Sequence, residues 1–96
     1  MRNISTAAAV KYLQQNPDVL CFPEHASYCP LARALSNHNN CDVFVMASKA
    51  KKRGLSASSV KLHPWQVRLV SWFDERFKKP VAASCVLTAA KKEGIL

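Results

Sequence analysis

DVFVMAS (residues 42–48), KAKKRG (49–54) and LSASSVKL (55–62) run without a break through the middle of a 96-residue chain, and their parsing decides the fold. The first piece, with Val43, Phe44, Val45 and Met46, is a β-branched and aromatic run of strand length. It is apolar on both faces and so expected to be buried. In the last piece Leu55, Ala57, Val60 and Leu62 are separated by serines and Lys61, the pattern of a half-exposed strand. Between them Lys49, Lys51, Lys52 and Arg53 place four cations in five residues, and Gly54 stands where a hairpin needs a left-handed residue. The expected form is an antiparallel hairpin with strands over 42–48 and 55–62 and a cationic tip held into solvent.

Helical signals flank this hairpin on both sides. Ser5 is positioned to cap a helix over 6–15, rich in alanine and striped by Val10 and Leu13, which Asn16-Pro17 stops. Val19 to Phe22, closed by Pro23, reads as a short strand or an extended segment on the core. Cys29-Pro30 opens a second helix over 30–37, with Leu31, Ala34 and Leu35 as its buried stripe. His63-Pro64 starts a third over 64–78, where Trp65, Leu69, Phe73 and Phe77 share one side and Trp72 and Val70 flank it. Asp74 with Lys78, and Glu75 with Lys79, stand at i,i+4 on its solvated side. After Lys79-Pro80, residues 81–88 read as a third strand and Ala89 to Leu96 as a tail compatible with helix. The order ααββαβ in a single domain, 1–96, predicts an α+β fold: a small three-stranded sheet with helices packed on one face.

Size and charge bound the function. A chain of this length buries roughly 65% of its unfolded surface, enough for one core and no cleft between domains. The net charge is +8, and from Val43 to Phe73 there is no Asp or Glu against Lys49, Lys51, Lys52, Arg53, Lys61 and Arg68. Unbalanced local charge costs self-repulsion, so an anionic partner is expected, either nucleic acid or an acidic surface of a nucleoprotein complex. The six cations are the candidate contacts. The short run Ala7 to Val10 is no signal peptide, and no apolar run approaches the roughly 20 residues of a membrane span. The chain is expected to be cytoplasmic, with no membrane partner and with Cys21, Cys29, Cys41 and Cys85 reduced.

Other chemistries have weaker spacing. Trp65 and Trp72 could stack on unpaired bases, but aromatics at helical spacing usually face a core. Arg76 is expected to lie over Trp72 as a cation–π contact. Cys21, His25, Cys29, His38 and Cys41 supply enough soft ligands for a zinc ion, yet their spacing matches no knuckle pattern. The leading expectation is therefore no metal and no cofactor, with a zinc-stabilised module as an alternative. Cys29 at a helix N-terminus has no orienting third group, and Asp74 and Glu75 point apart, so no catalysis is expected.

One further pattern concerns context. Cys29-Pro30-Leu31-Ala32-Arg33-Ala34-Leu35, an apolar strand, Val60-x-Leu62-x-Pro64 and Trp72-Phe73-Asp74 together resemble a skeleton of small uncharacterised proteins of bacteriophages and mobile elements. The resemblance covers Cys29 to Pro80; this chain adds the cationic stretch and the first helix. It implies a non-enzymatic protein of a host cell's cytoplasm that either binds nucleic acid or docks on and inhibits a host machine, as anti-CRISPR proteins do.

Overall fold

The computed structural model describes residues 1–54 and 59–96. Helix α1 (Thr6–Gln15) begins at Ser5, whose hydroxyl accepts the Ala8 N–H, and it buries Ala9 and Leu13. Strand β1 (Leu20–Cys21) follows, then α2 (Pro30–Asn39), where the Cys29 thiol accepts the Ala32 N–H at 3.4 Å. This helix runs two residues past the expected end because Asn40 takes the left-handed conformation, φ 52°, that closes a helix.

Strands β2 (Val43–Val45), β3 (Lys49–Lys52) and β4 (Ser59–Lys61) form one antiparallel sheet in that spatial order. The chain continues into α3 (Pro64–Arg76), β5 (Val81–Ala82) and α4 (Ala83–Lys92). The architecture is thus the expected α+β fold with a three-stranded sheet, but the third strand has a different source. Residues 49–52 are not a tip; they are the central strand. Ala50 explains why: it is fully buried between Val45 and Val60, its partners in register on either side. Lysine-rich segments are poor strand formers alone, but a place between two partners satisfies the backbone on both edges. The real β2–β3 turn is Ala47-Ser48, closed by the Met46 N–H on the Lys49 carbonyl at 2.8 Å. Of the strand expected over 55–62, Leu55 and Ala57 lie outside the described residues.

The segment 81–88 also departs from expectation. Only Val81 and Ala82 are extended, and they pair with Cys21 and Leu20 in a separate two-stranded sheet. From Ala83 the chain is helical, burying Ala83, Val86, Leu87 and Ala90 at i, i+3, i+4 and i+7. That helical period outweighs the strand preference of its two valines.

Helix α1 packs on α2 and α4, while α2 packs on α3 and covers β2. Phe73, Leu13, Leu31, Leu35 and Leu69 are the largest fully buried side chains of the resulting core. The outer edge of β2 is closed by the Ser36 hydroxyl, which bonds both the N–H and the carbonyl of Val43, and by Ala26, whose carbonyl accepts the Val45 N–H. The sheet is thereby shielded from pairing with another chain on that side.

Candidate nucleic-acid interface

Side chains alternate across a strand, so the burial of Val43, Val45 and Ala50 against the helices sends their neighbours the other way. Register then sets which of these meet. Lys49 stands directly opposite Lys61, and Lys51 stands between Phe44 and Ser59. Lys49 and Lys61 are exposed and Lys51 partly so. Three cations of the acid-free segment therefore share one open sheet face. Like charges placed directly opposite destabilise a sheet, and among the described residues no acid forms an ion pair with them. Among the described residues one ion pair forms, Arg76 with Glu93 at 3.1 Å, far along the chain from this face.

The remaining candidates are placed elsewhere. Lys52 belongs to the opposite parity and sits at the strand end, where it lines a notch of about 250 Å³ with Arg2 and His38. Arg53 follows it, its N–H held by the Asp42 carbonyl at 2.8 Å. Arg68 is exposed on α3, turned roughly 100–160° from the buried Gln66, Leu69 and Phe73 at 100° per residue. It shares no strand with the lysines. The cationic set is thus three residues on the face, two at its end and one on a helix.

The tryptophans offer no free ring. Trp65 and Trp72 both pack against the core. Trp72 also meets Phe77 edge-on at 5.8 Å and donates its indole N–H to Glu93 at 2.9 Å. Arg76 lies over Phe77 at 5.1 Å, not over Trp72, because Glu93 from the end of α4 draws both the guanidinium and the indole. Those two donors, the Trp72 N–H foremost, hold the Glu93 carboxyl below its ordinary range.

The Cys/His set is dispersed. Cys29 and His38 bracket α2, nine residues and about 13 Å apart along its axis. His25 stacks on Tyr28 with centroids 4.6 Å apart. Among the described residues no three His, Cys, Asp or Glu side chains converge on a metal position. The helix N-terminus does not activate Cys29 either: burial pushes its thiol up to about 11, outweighing the Ala32 N–H, and burial likewise pushes Cys21 up to about 12. Both thiols are therefore protonated near neutral pH. With a thiol reagent in excess, the exposed Cys85 should react first and the half-buried Cys41 more slowly. Cys21 and Cys29 should react only when denaturant unfolds the chain; four immediate equivalents would contradict their burial.

Two residues of interest escaped the sequence pattern. Phe44 was expected inside, but it stands partly exposed on the lysine face, outside the core cluster. Its parity with respect to Val43 and Val45 held the signal, once one face of the sheet was known to be open. Gln66 is fully buried on α3, and its Oε1 accepts the His63 N–H at 2.8 Å. A Gln at the third helical position is a recognisable cap partner. No helix of the described residues is long and apolar enough to cross a membrane. Compared with known proteins, the chain matches no family model, no curated protein and no solved structure.

Proposed function

We propose that this chain is a non-enzymatic binding protein that engages nucleic acid through the open face of its β2–β3–β4 sheet, in the cytoplasm of a host cell. The observation behind this reading is the register of Lys49 against Lys61, with Lys51 beside them and, among the described residues, no carboxylate within 4 Å of any. Such a face carries an unrelieved electrostatic cost in the free protein. Phosphates would relieve it, and counterion release would supply affinity with little sequence preference. Lys52 and Arg53 extend the charge at one end of the strand; Arg68 is a peripheral contact at most.

Binding of a fluorescent oligonucleotide across a salt series tests the reading. For three to five phosphates contacted, log affinity should fall against log salt with a slope of about −2 to −4.5. Lys49→Glu should weaken binding and flatten that slope by about one. The same substitution places a carboxylate opposite Lys61 and should raise stability by about 0.2–1 kcal/mol, read from the urea midpoint. Loss of binding with a gain in stability separates the site from any damage to the fold. A salt-independent signal, or a Lys49→Glu variant that binds as well as the parent, overturns the proposal. Nuclease-resistant co-purification with a host protein complex, together with no oligonucleotide binding, would favour docking on an acidic protein surface.

A further inference from the structure

The open sheet face is not uniformly cationic. Phe44 stands on β2, in line with Lys51 on β3 and Ser59 on β4. The next outward row holds Met46, whose N–H bonds the Lys49 carbonyl, then Lys49 and Lys61. On the β2 side Phe44 is thus the apolar group of the face, while Met46, at the strand end, is 46% exposed and lines a cleft with Val45 and with Val67 and Val70 of α3. The β3 and β4 side holds the three lysines and a hydroxyl. Neighbouring strands lie about 4.8 Å apart, so the two lanes are separated by one or two such steps.

Electrostatics alone does not account for the apolar lane. A duplex presents its phosphates outward and hides the faces of its bases in the stack. Against a duplex the lysines would be used, and Phe44 would lose water for no partner. A single strand offers a base face and a phosphate on the same nucleotide, a few ångströms apart, which matches an aromatic lane beside a cationic one. Aromatic stacking beneath a basic track is the general solution for unpaired strands.

We infer that this face takes single-stranded nucleic acid, with one base stacked on Phe44 and the adjoining phosphates held by Lys49, Lys51 and Lys61. The inference rests on the basic-sheet reading above and narrows its ligand. The face is about 10 Å across three strands and about 7 Å along two outward rows, room for about two nucleotides. Ribose and deoxyribose strands share this chemistry, and the test includes both.

Anisotropy titrations should compare a mixed-sequence 12-nucleotide DNA, the same RNA and the DNA duplex at one ionic strength. The parent protein is expected to bind at least one single strand about tenfold more tightly than the duplex. Phe44→Ala should weaken single-strand binding by about tenfold while leaving the salt slope unchanged, because a base contact is lost and no phosphate contact. Phe44→Tyr should restore it, and Phe44→Leu, which keeps apolar bulk without a ring, should not. Urea unfolding of each variant verifies that it folds. Equal or tighter duplex binding, or single-strand binding indifferent to Phe44→Ala and still lost in Lys49→Glu, overturns the single-strand inference and leaves the basic-sheet reading standing. No binding of any of the three probes overturns both.

Discussion

Phe73→Ala should lower the unfolding free energy by about 3–5 kcal/mol, the usual cost of truncating a buried phenylalanine. Phe73 is the largest fully buried side chain, and its ring lies 5.4 Å from that of Phe77. It sits on the stripe of α3 that faces inward with Leu69 and Gln66, so its removal leaves a cavity where α3 meets the rest of the core. A domain of this length has a total stability of about 5–14 kcal/mol, so the variant would retain at best a modest margin. Tryptophan fluorescence against urea reads the change: the midpoint should drop by about 2–3 M with the slope preserved. Val67→Ala on the same helix is the control. Val67 is 36% exposed and should cost no more than about 0.5 kcal/mol. A loss below about 1 kcal/mol at Phe73 would mean that α3 presents a different face to the core.

The second large effect belongs to a polar residue. Gln66 and Asn3 exchange reciprocal amide hydrogen bonds, Gln66 Nε2 donating to Asn3 Oδ1 and Asn3 Nδ2 donating to Gln66 Oε1 at 3.0 Å. Asn3 also donates to the Lys61 carbonyl at 3.2 Å and accepts from the Ile4 N–H at 2.8 Å. The pair therefore ties the N-terminal segment, the edge of β4 and the start of α3 into one network. Gln66→Ala should cost about 2–4 kcal/mol: it opens a small cavity and strands the His63 N–H and half of the Asn3 amide. Gln66→Leu should be nearly as costly, since the volume is kept while the partners stay unsatisfied. Combining Gln66→Ala with Asn3→Ala should cost less than the sum of the two, with a coupling of about 1 kcal/mol or more in a double-mutant cycle. Strict additivity would show that the amide pair is not formed in solution.

Much of the fold was legible because its signals are local. Ser5, Cys29-Pro30 and His63-Pro64 each mark a helix start within a few residues of sequence, and all three helices begin where those residues place them. Capping is chemistry between a residue and the next three, so no distant contact was needed to read it. The alkalinity of 49–61 was equally plain, as was the lack of acid to offset it.

The errors fell where two local readings compete. KAKK (49–52) looks like a solvated tip because lysine disfavours strands, and its outcome turned on Ala50 fitting between Val45 and Val60. VAASCVLTAAKK (81–92) contains strand formers, and its outcome turned on a buried stripe that only helix geometry produces. The register of the sheet also lay beyond local reading. It decides that Lys61 joins Lys49 and Lys51, that Lys52 faces the other way, and that Phe44 is outside.

From its residues alone, then, this chain determined three helix starts, an α+β class and a cluster of positive charge. Tertiary packing decided which charges share a surface and which aromatic ring lies beside them. The reason is the two-residue period of a strand: a side chain's face depends on which neighbour the core accepts, and the core is assembled from helices far away in sequence.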